Sequence, residues 1–523
     1  MENMINFKHS FPGKHKKWSH LFAVFLLLQL LLCIPQSAYS ISYYIDGTNG
    51  NDFNDGLTST SAFQTLGKVF RMGDDNPKTE KITYEQTYPS DNPCIVYIMN
   101  GTYNLNKTLL ISGEYIKIKN FPGHKPVLIA DTQDNNVPVA VRIYSWSPVN
   151  WNHITIEGLD IQGGYAFALK IDAHTSDVTI MNCRIHGSGQ DCIKIVGEEV
   201  AYGGNTKNRR TIISNCEIFD SGKRDPSNAE GIDANAISNA KIMGNFIHDI
   251  TTTGMYFKGN SDNVLVERNF LLNVGTITHT TNALYDTYGG IYFGECMDQP
   301  FIPAPPNDFE CMNSIARHNI VVNSGGAAFR SMGAKNVRFH NNTIYNSGRG
   351  YSKWYDYLAS GDLDVIRSCS SSPPIELNEK VFFYNNIVAD TNVQGYPANV
   401  LYKNSFIHIW GGAWSIGETT NISLISDNNI YYRYDGDYLW TDKTLGINAT
   451  SLTDWQNTSG QDNNSVVLTI ANGIMPILEN PALPQNEINN FKPGVAVNGN
   501  IGADINYIKS LLNLSAPKIF VLY

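Results

Sequence analysis

The sequence is poor in charged residues, and basic residues are the scarcer sign. Charged residues make up 16% of the chain, with 38 Lys and Arg against 48 Asp and Glu among 523 residues. Nucleic acid attracts clustered basic residues, so an acidic chain of this kind is not expected to bind it. Hydrophobic residues reach 42%. That content supports a large core and excludes a mainly disordered chain.

Long apolar runs are also scarce, and the one near the N-terminus has the features of a targeting signal. Lys14, Lys16 and Lys17 precede the apolar run 21–34, and the small-x-small motif Ala38-Tyr39-Ser40 follows it. A membrane-spanning helix needs about 20 apolar residues, more than this run contains. The pattern predicts a signal peptide at residues 1–40, a secreted or periplasmic protein, and no membrane span after cleavage. Cleavage removes four lysines and one glutamate, which changes the formal net charge from −10 to −13.

The eight cysteines show no Cys-x-x-Cys pair and no Cys/His cluster with zinc-site spacing. Export to an oxidising compartment permits disulfides. Cys296 and Cys311 bracket a proline-rich loop, so they form the most natural pair, and an odd number of cysteines after cleavage leaves at least one free thiol.

One pattern recurs along most of the chain: period-2 alternation of apolar residues, then Asn-x-apolar, then a Gly or Ser turn. Its shortest spacings are 23 and 24 residues, and the longer ones correspond to one coil with an inserted loop or to two coils. A β-propeller blade needs about 40–45 residues for four strands, so these repeats are too short for it. The matched positions are Leu159, Cys183, Cys216, Asn245, Asn269, Asn319, Asn342, Asn386 and Asn429.

This repeat predicts a solenoid of short strands stacked at about 4.8 Å per coil, which is a parallel β-helix. The asparagines are expected to form a hydrogen-bonded ladder along the stack, and Cys183 and Cys216 to stack in the same column. Apolar residues at helical spacing behind Ser61, a suitable N-cap, predict a short capping helix at the N-terminal end. We therefore expect a β-helix with its N-terminal cap at 41–440 and an irregular C-terminal cap at 441–523.

Several segments resemble those of secreted right-handed β-helix proteins of the pectate-lyase-like superfamily: YYIDGTNGNDFNDG, IMNGTYNLNKTLLISG, the coil pattern and SLTDWQNTSGQDNNS. The resemblance implies an all-β fold, a single-stranded right-handed parallel β-helix. It also implies a polysaccharide or a cell-surface glycan as the partner, and we expect a monomer. The superfamily includes lyases, hydrolases, epimerases and proteins without catalysis, so the resemblance does not assign a reaction.

Acidic residues at related positions on consecutive coils form the sharpest candidate site. Asp191 lies on one coil, and Asp225, Glu230 and Asp233 lie on the next. Carboxylates on neighbouring coils repel each other unless a proton or a cation lies between them. Oxygen ligands on loops suit Ca²⁺, so these four residues are the predicted metal ligands.

Two basic residues complete the predicted site. A lyase acting on uronic acids needs a cation to neutralise the C6 carboxylate and a base to remove the C5 proton, and in pectate lyases this base is commonly Arg or Lys. Lys258, on the third coil, is the predicted base. Arg330 is the predicted partner of a substrate carboxylate, because its planar guanidinium binds carboxylates in a bidentate manner.

Three functions remain open from the sequence. The first is a Ca²⁺-assisted polysaccharide lyase or epimerase acting on uronate-containing glycans, and the second is a non-catalytic glycan-binding or surface β-helix protein. The third is a glycoside hydrolase, because GQDCIKI at 189–195 resembles the GDDCIAI strand of polygalacturonase-type enzymes. In that comparison Gln190 replaces one catalytic acid and the partner acid is missing one coil earlier, which disfavours this third function.

Overall fold

Each coil contributes to three long sheets, because the apolar residues alternate with polar ones in short runs along each repeat. Several coils add a second, two-residue strand to the first of these sheets. The computed structural model describes residues 40–73, 81–83, 86–145, 152–200, 204, 206–275, 288–294, 299–303, 309–348, 361–366, 378–390, 405–410, 424–433, 439–468 and 501–503. Within a coil the chain visits sheet 1, then sheet 2 after a tight turn, then sheet 3 after a loop of variable length.

The strands of the three sheets have the following bounds within the described residues. Sheet 1 consists of Ser42–Ile45, Cys94–Ile98, Ile116–Asn120, Ile154–Glu157, Thr179–Met181, Asn208–Arg209, Ile212–Ser214, Ile237–Ser238, Lys241–Met243, Ser261–Asp262, Leu265–Glu267, Cys311–Met312, Ile315–Arg317, Ala334–His340, Glu379–Tyr384 and Leu424–Asp427. Sheet 2 consists of Gly101–Leu105, Pro126–Ala130, Asp160–Gln162, Arg184–His186, Glu217–Phe219, Phe246–Ile250, Phe270–Val274, Ile320–Val322, Thr343–Tyr345, Ile387–Asp390, Ile430–Arg433 and Val466–Leu468. Sheet 3 consists of Arg71–Met72, Leu109–Ile111, Val139–Ile143, Phe167–Ile171, Ile193–Val196, Ile232–Asn235, Met255–Lys258, Ile291–Phe293, Phe329–Met332, Gly361–Ile366, Ser405–Trp410, Trp440–Asp442 and Ile447–Ala449.

Nearly all strand pairs are parallel, and the exceptions lie at the two ends of sheet 3. Arg71–Met72 pairs antiparallel with Leu109–Ile111, and Trp440–Asp442 pairs antiparallel with Ile447–Ala449. The three parallel sheets confirm the predicted fold, an all-β, right-handed parallel β-helix. The matched positions of the repeat lie on directly adjacent coils, even where 50 residues separate Asn269 from Asn319. The longer spacings are therefore single coils with inserted loops.

The predicted asparagine ladder is present in the turn between sheet 1 and sheet 2. Each side-chain amide donates from Nδ2 to Oδ1 of the asparagine on the next coil, over distances from 2.9 to 3.1 Å. The same Oδ1 accepts the backbone N–H of the preceding rung. Each Nδ2 also donates to a backbone carbonyl of sheet 1. The rungs are Asn245, Asn269, Asn319, Asn342, Asn386 and Asn429, all fully buried.

Two cysteines continue this column on the preceding coils, as predicted. The thiols of Cys183 and Cys216 donate to carbonyls of sheet 1, as the asparagine amides do, and Cys216 N donates to Asn245 Oδ1 at 2.9 Å. Both are free thiols in contact with each other. Cys311 is also a free thiol, with Sγ 3.3 Å from Ser314 Oγ. The predicted disulfide to Cys296 is therefore wrong in this structure, and Cys296 itself lies outside the described residues.

The ends of the solenoid are covered by different elements. At the N-terminal end, Leu66–Lys68 forms one turn of 3₁₀-helix with Thr65 as N-cap, so the predicted helix is shorter than expected and Ser61 does not cap it. Phe70 nearby is buried, so the predicted packing is present. At the C-terminal end the α-helix Leu452–Ser459 has Ser451 as its N-cap and buries Trp455. A second 3₁₀ turn spans Gln299–Phe301.

The described part of the chain contains no helix long and apolar enough to cross a membrane. The predicted signal peptide, residues 1–40, lies almost entirely outside the described residues. The predicted boundaries of the β-helix and of its C-terminal cap stay predictions.

Sheet 3 presents a polar column on its outer face, and this column positions the candidate site. In Met255–Lys258, for example, Met255 and Phe257 point into the core, whereas Tyr256 and Lys258 occupy the outer positions. The outer positions in direct register, taken along the stack, are Arg142, Lys170, Lys194, Asp233, Tyr256, Tyr292, Arg330, Asp364 and His408.

Candidate functional site

Three of the four predicted metal ligands come together on the outer side of sheet 3. Asp191, Glu230 and Asp233 each offer a carboxylate oxygen within 4.8 Å of the others. Asp191 lies just before the strand Ile193–Val196, and Glu230 just before Ile232–Asn235, so adjacent coils place both at the entrance to sheet 3. All three carboxylates are buried.

Two lysines share the carboxylate of Asp233, and both lie on the same face of sheet 3. Lys194 is the register partner of Asp233 on the preceding coil, and its ammonium contacts Asp233 Oδ2. Lys258 Nζ lies 3.4 Å from Asp233 Oδ1. We call Asp191, Lys194, Glu230, Asp233 and Lys258 the acid–lysine cluster.

The protonation states of the cluster follow from burial and from these contacts. Burial raises the pKa of Glu230, and the neighbouring charge of Asp191 raises it further. Burial likewise raises the pKa of Asp191. Burial would raise the pKa of Asp233 too, but Lys194 and Lys258 outweigh it and lower that pKa. When no cation is bound, these opposite shifts favour a protonated Glu230 beside an ionised Asp233, which reduces the repulsion between the carboxyl groups.

Asp191 and Glu230 contact each other directly. Asp191 Oδ1 accepts the backbone N–H of Glu230 at 3.2 Å, and the two side chains share a hydrogen bond, which requires a proton between the carboxyl groups. Beside the cluster, Asn235 Oδ1 is buried without a hydrogen-bond partner among the described residues. A cation between the carboxylates could replace the shared proton, because either one reduces the repulsion between them.

The donor set fits a hard divalent cation. Ca²⁺ binds oxygens at about 2.3–2.6 Å, so two ligands on opposite sides of one ion lie up to about 5 Å apart. The 4.8 Å limit on the three carboxylate oxygens lies within that span. The two ammonium groups beside Asp233 repel a cation bound at that carboxylate. Asp191 and Glu230 are therefore the more favourable ligands of the three.

The fourth predicted ligand, Asp225, does not join this group. Its carboxylate accepts from Gln190 Nε2 at 3.0 Å and from Ser227 Oγ at 2.7 Å. It lies in the turn Asp225-Pro226-Ser227, and its oxygens stabilise that turn instead of facing the other acids. The structure therefore does not bring Asp225 together with the other three acids, and its predicted role as a metal ligand stays a prediction.

Arg330 lies on the same outer column as Asp233 but not within the cluster. Register pairs connect Asp233 to Tyr256, Tyr256 to Tyr292 and Tyr292 to Arg330, a separation of about 14 Å at one strand spacing per step. The guanidinium of Arg330 is 3.0 Å from Asp364 Oδ2, and it lies 4.3 Å from the centre of the Tyr292 ring. Its predicted role toward a substrate carboxylate stays a prediction.

Sequence reasoning missed Lys194, although the signal for it was present. In the strand Ile193–Val196 the two isoleucines face the core, so alternation alone assigns Lys194 to the outer face. Asn235, the register partner of Lys258, was missed for the same reason.

The described cavities do not coincide with this cluster. A groove of about 830 Å³ lies on the outer face of sheet 1, and a second concavity of about 660 Å³ lies beside sheet 2 near Asp220 and Lys223. The inserted segments 276–287 and 349–360 lie outside the described residues.

Comparisons with known proteins agree with the fold. A family model described as "Right handed beta helix region" matches residues 167–360. No curated protein matches the sequence.

Solved structures similar to this chain include several β-helix proteins. One is a GH136 lacto-N-biosidase from Eubacterium ramulus, at 13% identity and a TM-score of 0.49, covering 86% of this chain and 70% of that one. Another is the pectate lyase Pel9A, at 14% identity and a TM-score of 0.43, covering 74% of this chain and 83% of that one. A third is an alginate lyase from Paenibacillus sp. str. FPU-7, at 14% identity and a TM-score of 0.38, covering 65% of this chain and 90% of that one. At these levels of similarity none of them assigns an activity to this chain.

Proposed function

We propose that this chain, a right-handed parallel β-helix protein, is a carbohydrate-active protein acting on a uronate-containing glycan. The reaction that the acid–lysine cluster supports best is a cation-assisted β-elimination or a C5 epimerisation. The observation that carries this proposal is the buried group Asp191, Glu230 and Asp233 with Lys258 beside it.

Both reactions begin with the removal of the proton at C5 of a uronate. This proton becomes acidic only when positive charge or a hydrogen-bond donor offsets the C6 carboxylate. Asp191 and Glu230, with Asp233 as third ligand, would hold a Ca²⁺ ion, which would supply that positive charge. Lys194 is a second source of positive charge, since its pKa is raised: burial opposes this, but Asp233 and Asp191 outweigh burial.

We propose Lys258 as the residue that accepts the C5 proton, because its Nζ belongs to the cluster, 3.4 Å from Asp233 Oδ1. It must be neutral to act as a base. When Lys258 is neutral, Asp233 keeps its contact with the ammonium of Lys194, so the carboxylate of Asp233 retains a counter-charge.

The distances within the cluster disfavour a glycoside hydrolase. Retaining hydrolases place their two carboxyl groups about 5–5.5 Å apart, and inverting ones about 6.5–9.5 Å apart. Asp191 and Glu230 are hydrogen bonded to each other, so this pair of carboxyl groups lies closer together than either arrangement requires. This geometry suits a shared proton or a shared cation more than two acids on opposite faces of a sugar ring.

A non-catalytic glycan-binding protein is the second candidate. It is favoured by the ion pairs that Asp233 makes with Lys194 and Lys258, since ion pairs of this kind also occur in buried networks with a purely structural role.

The test is a panel of uronate polymers, including polygalacturonate and alginate, incubated with the protein with and without EDTA. Ultraviolet absorbance of unsaturated uronate detects β-elimination, and proton NMR of the polymer detects epimerisation. We expect turnover by the wild type, loss with EDTA and restoration with Ca²⁺.

A matched pair of variants assigns the base. Lys258→Ala should lower turnover by about 10²–10⁴-fold, as expected for the loss of a positioned base. Lys125→Ala removes an exposed lysine elsewhere on the solenoid and should leave turnover unchanged. Binding of a polymer without any turnover would favour the non-catalytic candidate, and equal turnover of both variants would exclude Lys258 as the base.

A further inference from the structure

The groove on the outer face of sheet 1 is separate from the acid–lysine cluster and has no role in the function proposed above. It holds about 830 Å³ and crosses five adjacent strands. Lys117 lies at one end of its floor and Lys241 at the other, with Thr155, Thr179 and Ile212 between them in direct register. Four strand spacings separate the two lysines, about 19 Å, which is the length of several sugar rings.

The two lysines at the ends of the groove have no ion-pair partner among the described residues. Other lysines of sheet 1 are paired: Lys119 Nζ is 2.9 Å from Glu157, and Lys335 Nζ is 2.8 Å from Glu379. Lys117 and Lys241 are exposed. In a chain of net negative charge, two exposed lysines at the ends of one groove match a ligand that carries separated negative charges.

A pair of stacked rings lines one side of the groove. The rings of Tyr115 and His153 are 4.5 Å apart at an interplanar angle of 11°. Beside them, Arg210 donates from Nε and a terminal nitrogen to the carboxylate of Asp177, at 2.7 and 2.6 Å. Aromatic faces suit the apolar faces of sugar rings, and polar side chains suit the hydroxyl groups.

One residue per coil adopts a positive φ at the turn before sheet 1, a conformation that Asn tolerates best and bulky residues avoid. Along the groove this residue is Tyr115, His153, Asp177, Arg210 and Asn239, and on the later coils it is Asn263, Asn313, Asn336 and Lys380. Tyr115 is thus a bulky residue at a position that Asn would tolerate at least as well, which makes Tyr115→Asn a useful exchange.

We propose that the sheet 1 groove is a second glycan-binding site, which holds an extended segment of a carboxylated oligosaccharide along the stack. Lys117 and Lys241 bind carboxylates at its two ends, and the Tyr115–His153 pair contacts a sugar ring. The site binds without catalysis, and it operates whether or not the acid–lysine cluster turns the glycan over.

The experiment measures binding of a hexameric oligouronate by isothermal titration calorimetry, with the full mature chain carrying Lys258→Ala so that the ligand stays intact. The double variant Lys117→Ala, Lys241→Ala should bind about tenfold more weakly at the groove, because two exposed charge contacts are lost. Lys125→Ala should bind as the parent does. An uncharged oligosaccharide of the same length should bind more weakly than the oligouronate.

Tyr115→Asn distinguishes a role of Tyr115 in binding from a purely structural role, because the two roles predict different changes in affinity and stability. Asn tolerates the positive φ of this position, so the midpoint of thermal unfolding should stay the same or rise, while oligouronate affinity should fall. Equal affinity of the double variant and of Lys125→Ala would overturn the proposal, as would equal binding of the charged and uncharged ligands. Failure of the lyase or epimerase assay leaves these binding results unaffected, so the two proposals fail separately.

Discussion

At the scale of single residues, Asp233 holds the acid–lysine cluster together, because it is the only one of the three acids whose pKa is lowered. Because the pKa of Glu230 is raised, its carboxyl group without a bound cation resembles a neutral amide more closely than the carboxylate of Asp233 does. Asp233 forms ion pairs with two ammonium groups, and an amide there would remove both ion pairs. Chemically similar substitutions should thus have very different effects on folding.

We expect Asp233→Asn to lower the free energy of unfolding by about 3 kcal/mol, because it removes the buried partner of both ion pairs. Glu230→Gln should lower it by less than about 1 kcal/mol while weakening Ca²⁺ binding, since a neutral amide is a poorer ligand for a hard cation. Urea unfolding and Ca²⁺ titration of both variants provide the measurement. Equal stability losses in the two variants would contradict the assigned protonation states.

A second residue-scale prediction concerns His248 on the outer face of sheet 2. Burial would lower its pKa, but hydrogen bonds to Asp249 at 2.8 Å and to Glu217 at 3.3 Å outweigh burial and raise it. Its ring also stacks on Phe219 and Phe246. Since the folded pKa is above the unfolded value, the stabilisation is complete below about pH 6.5 and is lost as pH rises through the folded pKa.

His248→Phe keeps the ring stack and removes the charge. The loss in unfolding free energy relative to wild type should therefore be about 1 kcal/mol larger at acidic pH than at alkaline pH. Denaturant unfolding of both proteins across this range tests it. A stability difference that does not change with pH would show that the imidazolium contributes nothing.

At the scale of structural elements, the asparagine ladder links the coils from Asn245 to Asn429. Asn319 Oδ1 accepts two N–H groups of Asn269, and its Nδ2 donates to Asn342 Oδ1 and to Val266 O. Replacement of one internal rung leaves donors and acceptors without partners on both neighbouring coils. Buried groups of this kind cost about 1–3 kcal/mol each when left unsatisfied.

Asn319→Ala should thus destabilise the solenoid by about 3 kcal/mol. Asn136→Ala is the control, since Asn136 also donates from its side-chain amide, to Asp134 Oδ1 at 2.7 Å, but at an exposed turn and not at a positive-φ position. The control should cost less than about 0.5 kcal/mol. Thermal unfolding distinguishes the two variants, and losses of similar size would show that burial of the ladder is unimportant.

At the scale of the whole molecule, the repeat made the fold predictable and the loops limited the prediction of the site. The turn between sheets 1 and 2 has a constant length, so Asn245 and Asn269 could be aligned from the sequence alone. The loop before sheet 3 varies in length, and alignment across it assigned Asp191, Glu230, Asp233 and Lys258 to one face.

The same loop explains what the sequence could not give. Asp225 lies within this loop, where spacing along the chain does not determine which way a side chain points. Its carboxylate accepts hydrogen bonds from Gln190 and Ser227. Cys311 could not be placed from spacing either, because it belongs to a short strand of sheet 1 and its thiol is buried beside Ser314. In both cases the contacts of the side chain depend on which residues are neighbours in the folded chain, and distance along the sequence does not determine that.

The central claim is that Lys258 removes the C5 proton of a uronate bound at the acid–lysine cluster. The direct measurement is proton NMR of an oligouronate in D₂O with the protein and Ca²⁺, following the H5 signal. Both elimination and epimerisation should remove this signal with the wild type, and Lys258→Ala should slow its loss by about 10²–10⁴-fold. An H5 signal that persists with the wild type across the uronate panel, or that decays equally fast with Lys258→Ala, would contradict the claim.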